Sequence, residues 1–373
     1  MTILLVEPFY AGSHRNWAMA YQKYSKHEVW IHALKGRHWK WRMYGGAVEL
    51  AKQFDQLAAS PDLILATDML DLTTYLALLR QHLFASPIAL YFHENQITYP
   101  WSPNDQDVQL NRNNQYGFIN YTSALAADQL FFNSAYHRQS FLKALPRFLK
   151  QFPDYQGLNN IPSLVQKSRV LHLGLELTKL DQYRLEIQNE VPILLWNHRW
   201  EYDKNPEDFF AALFRLKEEN IDYQLVVIGE AYQKTPAIFA TAKEKLADRL
   251  LHFGYVEAFS DYAHWLWKAD ILPVSSQQDF FGASVVEAIY CQCIPLLPRR
   301  LAYPEHLPKG QQQNHYYDSN EQFYQLLKYW IQLPASERKA KHGQNFVAPY
   351  DWSNLAQHYD RVFQQMVEQL SPH

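Results

Sequence analysis

The chain has 373 residues, 47% hydrophobic and 15% aromatic, enough for two domains with cores of their own. Lys and Arg total 35 against 38 Asp and Glu, a formal net charge of −3, which excludes a globally basic nucleic-acid binder and leaves only a local patch for that role. Two cysteines, Cys291 and Cys293, in Cys-Gln-Cys spacing inside an apolar run exclude a four-ligand zinc site and read as buried thiols of a reducing compartment.

Met1 to Glu7 reads as a short strand without the basic flank or cleavage site of a signal peptide. No apolar run approaches the about 18 residues that span a membrane, so a soluble, cytoplasmic protein is expected. The first strand, Ile3–Val6, runs into Gly12-Ser13, which opens a helix. Such a turn aims backbone N–H groups and a positive helix end at whatever lies over the sheet, although it is also an ordinary strand-to-helix connection. Further strands are expected at Val29–His32, Leu63–Ala66, Ile88–Phe92, Leu130–Phe132 and Val170–His172. Each is short and apolar without polar alternation, as strands buried on both faces of a parallel sheet read.

After the second strand comes Lys35-Gly36-Arg37-His38-Trp39-Lys40-Trp41-Arg42. Cations interleaved with indoles suit phosphate contacts and stacking on an unpaired base, so Lys35, Arg37, His38, Trp39, Lys40, Trp41 and Arg42 are the candidate acceptor contacts. A solvated loop with two indoles covering a core fits the same pattern. His93, Glu94 and Asn95 follow the fourth strand, at the end where α/β proteins bind ligands, and Glu94 and Asn95 join the candidate acceptor contacts. Asp105-Gln106-Asp107 has metal-binding spacing but lies in a polar loop, and reads as coincidental; no metal is expected. The basic run Arg147 to Lys150 reads as a solvated helix face.

The apolar pattern lapses between Glu176 and Glu190 and restarts at Val191-Pro192. Domains are therefore expected at residues 1–185 and 190–348, with residues 349–373 forming a helix that packs back across the junction. The second domain's strands are Ile193–Trp196, Gln224–Ile228, Leu251–Phe253, Ile271–Val274 and Ile294–Leu297. Strand–helix alternation over the whole length implies doubly wound α/β domains. Arg199 and Lys204 leave the first of these strands and can clamp a diphosphate. Asp279 and Glu287 are carboxylates eight apart flanking Phe280-Phe281-Gly282, with Glu287 two turns into a helix. One can accept from sugar hydroxyls and the other from a ribose diol; Phe281, Gly282 and Ala283 offer backbone N–H groups at the helix start. A capping acid and an ordinary helical Glu are the plainer reading.

This carboxylate pair around Phe-Gly, with Arg199 and Lys204 upstream, resembles retaining family-4 glycosyltransferases, which have Glu where this chain has Asp279. The resemblance implies a GT-B architecture, two Rossmann-like domains facing across a cleft. It implies that Glu287 holds the ribose, that Arg199 and Lys204 hold the diphosphate, that the amides of Phe281, Gly282, Ala283 and Ser284 line the sugar, that Gly229 and Tyr255 meet the nucleotide, and that His93 approaches the donor sugar. Four segments, Tyr91 to Gln96 with Tyr99-Pro100, His38 to Arg42, His198 to Lys204, and Phe280 to Gly282 leading to Tyr303-Pro304-Glu305, resemble the glycosyltransferase-like family that includes tRNA-queuosine alpha-mannosyltransferase. That resemblance implies GDP-mannose as donor, queuosine in tRNA-Asp as acceptor, and no metal or other cofactor. Two other readings fit the same residues: a family-4-like transferase acting on a glycan, lipid or small molecule, and a non-catalytic RNA-binding protein on the same fold. Oligomeric state is not written in the sequence.

Overall fold

In the computed structural model, residues 1–54, 60–82, 86–102, 105–110, 112–231, 235–339 and 344–370 are described. They form two units, one of residues 1–175 with 352–373 and one of residues 176–351.

The first unit is a six-stranded parallel sheet. Its strands are β1 (Thr2–Tyr10), β2 (Glu28–Lys35), β3 (Leu63–Thr67), β4 (Ile88–Phe92), β5 (Gln129–Phe132) and β6 (Ser168–Val170), in the order β2-β1-β3-β4-β5-β6. All five residues of β3, Leu-Ile-Leu-Ala-Thr, are buried, because helices cover both faces of a parallel sheet. Val6, Ile64, Leu90, Phe92, Leu130 and Phe132 meet Phe141 and Leu145 of the helix Ala135–Leu149 in one core. Strand β6 ends at Val170, two residues before the expected His172.

The tail helix Trp352–Leu370 belongs to this unit. Leu355, Tyr359, Phe363 and Met366 are buried at helical spacing. The Tyr359 hydroxyl donates to the His172 carbonyl at 2.7 Å and accepts from Trp17 Nε1 at 3.2 Å. The Asp360 carboxylate accepts from the Ser25 hydroxyl at 2.6 Å and the Lys26 amide at 2.8 Å.

The second unit repeats the plan with β7 (Ile193–Trp196), β8 (Gln224–Ile228), β9 (Leu250–Gly254), β10 (Ile271–Pro273), β11 (Ile294–Pro298) and β12 (Tyr316–Tyr317), ordered β12-β11-β10-β7-β8-β9 and parallel throughout. Two-residue β12 has no counterpart in the sequence reading. Aromatic rings fill this core: Trp200 stacks on Phe239 with centroids 4.5 Å apart, and Trp196 meets Phe209 at 4.9 Å.

Residues 176–185, expected in the first domain, lie with the second. The turn Leu177–Tyr183 buries Leu177 and Leu180. Trp267 Nε1 donates to the Leu180 carbonyl at 2.8 Å, and the Tyr290 hydroxyl donates to Asp181 at 2.9 Å. Polar residues hid this attachment from a hydropathy reading.

Candidate functional site

In the first unit the carboxyl ends of β1, β3 and β4 bring together Glu7, Asp68 and His93, and the helix Gly12–Tyr24 adds His14. Glu7 is fully buried although it sits in an apolar strand. Its carboxylate accepts from the Phe9 amide at 2.7 Å and pairs with His14 Nδ1 at 2.9 Å. Burial works against a charged His14, but Glu7, with Asp68 and Glu94 further off, outweighs it and raises the imidazole to about 9. His93, with its ring centroid 4.2 Å from that of His14, is driven well below the ordinary histidine range by burial and by the His14 charge. A charged imidazolium thus lies against a neutral imidazole.

The backbone fixes His93. Its amide donates to Asp68 Oδ1 at 2.7 Å and its carbonyl accepts from Asn133 Nδ2 at 2.8 Å. Its Nε2 has no hydrogen-bond partner among the described residues, so a buried donor or acceptor stays open. Glu7, His14 and His93 also place one ligand atom each within 4.8 Å of one another, the donor set that could hold a metal ion. Sequence reasoning named His93 and overlooked Glu7 and His14; an acid inside an apolar strand was the available signal.

Gly12 and Ser13 do open the helix. Glu94 is half-buried and accepts from Gln96 Nε2 at 2.8 Å. Asn95, expected to face the acceptor, is fully buried. Its Oδ1 accepts from the amides of Ile97 and Thr98, so it holds the turn leaving β4.

The basic-aromatic stretch divides in two. Lys35, Arg37, His38 and Trp41 are exposed, Trp41 at 63%. Arg42 Nε donates to the Lys35 carbonyl at 3.1 Å. Lys40 corrects the expectation of a phosphate contact. Its Nζ lies 2.6 Å from both Asp105 and Asp107, ringed by Trp39, Trp101 and Tyr116. The Asp-x-Asp pair, read as coincidental, is the counter-charge that fastens the loop after Trp101 to the helix Trp39–Gln53. Trp39, half-buried, packs 5.8 Å from Trp101 and 5.3 Å from Tyr116.

In the second unit the loop after β7 carries Asn197, His198, Arg199 and Lys204. Lys204 is buried; its Nζ donates to the Gln278 carbonyl at 2.7 Å and lies 3.2 Å from Asp279. The Tyr303 hydroxyl donates to the same carboxylate at 2.6 Å. Burial raises Asp279, but Lys204, His198 and Tyr303 more than compensate and hold it below its usual value. Arg199, with nearly half its side chain exposed, pairs with Glu201 at 3.3 Å.

The helix Ala283–Tyr290 starts at Gly282, whose φ of +84° is a left-handed conformation. Its first-turn amides, Ala283 and Ser284, point out of the helix start. Glu287 lies one turn in, not two, and accepts from the Tyr262 hydroxyl at 2.6 Å. Burial raises its carboxyl and the Tyr262 hydrogen bond opposes that rise. Asn197 Nδ2 donates to the Ser284 carbonyl at 2.8 Å, and His198 Nδ1 meets the Ser284 hydroxyl at 3.1 Å. His198 is held down to about 4 by burial and by Lys204, and its Nε2 has no partner among the described residues. Sequence reasoning gave no role in the site to His198, Tyr262 or Tyr303, which touch the expected residues only once the chain is folded.

A Cβ on Gly229 would stand 2.0 Å from the His198 carbonyl oxygen, so the loops after β7 and β8 meet backbone to backbone. Phe281 is buried, its carbonyl bonded to His306 Nε2 at 2.6 Å. Tyr255, 64% exposed, lies at the rim of a pocket of about 610 Å³ with His252, Glu257, Asp261, Trp265 and Lys268. Among the described residues no helix is long and apolar enough to cross a membrane.

Residues 2–175 match the family model described as tRNA-queuosine alpha-mannosyltransferase N-terminal, and residues 179–363 match glycosyl transferases group 1. A Drosophila melanogaster protein named tRNA-queuosine alpha-mannosyltransferase is 32% identical over 348 residues, 91% of this chain and 89% of that one. Among solved structures, a sucrose-phosphate synthase from Thermosynechococcus elongatus superposes with a TM-score of 0.71 at 14% identity, covering 99% of this chain and 100% of that one. An E. coli trehalose-6-phosphate structure bound with UDP-2-fluoro glucose gives 0.69 at 11% identity, covering 98% and 99%. At such identities these two show the fold, which is GT-B.

Proposed function

The chain belongs to the tRNA-queuosine alpha-mannosyltransferase family and is a glycosyltransferase; from that premise we propose that it moves mannose, with retention, from GDP-mannose to queuosine in the anticodon of tRNA-Asp. The match over 91% of the chain carries the reading, and the cluster of buried Lys204 and Tyr303 on half-buried Asp279, beside a helix start, supports it.

On this reading the second unit holds the donor. Arg199 and Lys204 meet the diphosphate, Glu287 takes the ribose diol, and Asp279 with the amides of Phe281 to Ser284 takes the sugar hydroxyls. Gly229 and Tyr255 flank the nucleotide. The first unit holds the acceptor, with the exposed Lys35, Arg37, His38 and Trp41 toward RNA. His93, neutral and with Nε2 open, serves a sugar hydroxyl.

The bond from the anomeric carbon to the diphosphate oxygen breaks, and a bond to the acceptor hydroxyl oxygen forms on the same face. The hydroxyl proton passes to the departing phosphate oxygen. Negative charge grows on that phosphate, and Arg199, Lys204 and helix-start amides stabilise it without a divalent cation. No protein nucleophile is assigned. The compartment is the cytoplasm, where the buried Cys291 and Cys293 stay reduced.

Arg199→Ala tests the donor half. Transfer is lost while tRNA binding persists; a variant that transfers sugar normally removes Arg199 from the site.

A further inference from the structure

The helix Ala135–Leu149 has a one-sided charge that the donor and acceptor assignments leave unused. His137, Phe141, Leu145, Phe148 and Leu149 form its buried stripe. Lys143, Arg147 and the following Lys150 are all exposed, and at about 100° per residue they lie opposite that stripe within about 60° of one another. The helix contains no acid, so no pair at i,i+4 neutralises them. Residues 133–175 hold six Lys and Arg against one acid, Asp154, in a chain whose net charge is −3. Arg138 and Arg169 add fixed charge beside the edge strand β6, bonded to backbone carbonyls of residues 165, 166 and 168.

Several surface cations of the second unit, by contrast, are ion-paired. Arg215, Lys217, Arg249, Arg299 and Lys328 each face a carboxylate within 4 Å. Lys143, Arg147 and Lys150 have no such partner among the described residues. A self-repelling row of unpaired cations, kept on an otherwise acidic protein, fits a polyanion of regular charge spacing. The face lacks the exposed apolar residues that a membrane-surface helix inserts. Tyr155, 98% exposed just beyond the helix, adds a ring that can stack on a base or ribose.

We infer that Lys143, Arg147 and Lys150 form a docking surface for the phosphate backbone of the acceptor RNA, away from the nucleotide that reacts. This rests on the proposed tRNA acceptor. The surface positions the RNA and carries no sequence information, since it offers charge and no base-edge readout.

The test is the triple variant Lys143→Ala/Arg147→Ala/Lys150→Ala, assayed beside the parent for tRNA binding across a salt series and for transfer kinetics. A control variant, Arg299→Ala/Lys328→Ala, removes two cations from the second unit. The triple variant should keep kcat and the donor KM, raise the tRNA KM about tenfold at low salt, and lower the slope of log affinity against log salt by about two to three. The control should leave the slope near the parent's. A triple variant with the parent's tRNA KM and slope, when the parent does modify tRNA, overturns the docking surface and leaves the proposed function standing. Equal losses in the triple and control variants overturn it as well, since the binding would then follow net charge alone. A parent that neither binds nor modifies tRNA overturns the proposed acceptor and this inference together.

Discussion

Replacing His14 by Gln should cost the first unit stability in a strongly pH-dependent way. His14 is almost wholly buried and pairs with Glu7, which is fully buried. Its folded value is raised to about 9. Against an unfolded value of about 6.5, the shift of roughly 2.5 units corresponds to about 3 kcal/mol. A raised histidine stabilises fully below the unfolded value and loses that contribution as pH climbs through the folded one. Gln can still donate to Glu7 but has no proton to release. The stability gap between parent and variant should therefore be widest near pH 6 and shrink by about 3 kcal/mol by about pH 10. For a unit of this size that is a change of roughly 6–12 °C in the difference between melting temperatures. Calorimetry on both proteins near pH 6, 7.5 and 10 reads it directly. A gap that stays constant across that range would show that His14 is not the charged partner of Glu7, and burial rather than the His14 charge would then be what holds His93 neutral.

Gly229→Ala puts a Cβ against the His198 carbonyl at a φ of +148°, and should lower the second unit's melting temperature while the first unit's transition is kept; calorimetry resolves the two. Tyr262→Phe removes the hydrogen bond to Glu287, leaving a half-buried carboxylate short of a donor, and should weaken nucleoside diphosphate binding about tenfold by titration calorimetry. Lys40→Met strips two carboxylates of their shared cation. It should loosen the loop after Trp101 and raise the acceptor KM several-fold with the donor KM unchanged, whereas Lys40→Arg should retain most of the function.

What could be read from the sequence divides by range. Strands β4, β7 and β8 lie at the residues their apolar runs mark, because a strand buried on both faces declares itself locally. At β6 the apolar run Val170–His172 set the strand two residues late: the strand is Ser168–Val170, and past it the Leu171 amide still donates to the Phe132 carbonyl at 2.9 Å. Strand β12 is only Tyr316–Tyr317 and has no pattern to offer. In the site, Lys204 and Asp279 were recognisable from their places after strands and before a helix. The Lys40 clamp was not, because it joins residues 65 and 67 apart and each half looked ordinary in its own surroundings. Glu7 and His14 form a pair only when a strand end and a helix start fold together.

The central claim is tested most directly with labelled GDP-mannose and two bulk tRNA preparations, one from cells that contain queuosine and one from cells that lack it. Label entering only the queuosine-containing tRNA is the predicted result and fixes donor and acceptor together. A folded protein that binds a nucleoside diphosphate yet labels neither preparation would contradict the account, keeping the GT-B fold while removing GDP-mannose, the tRNA acceptor, or both.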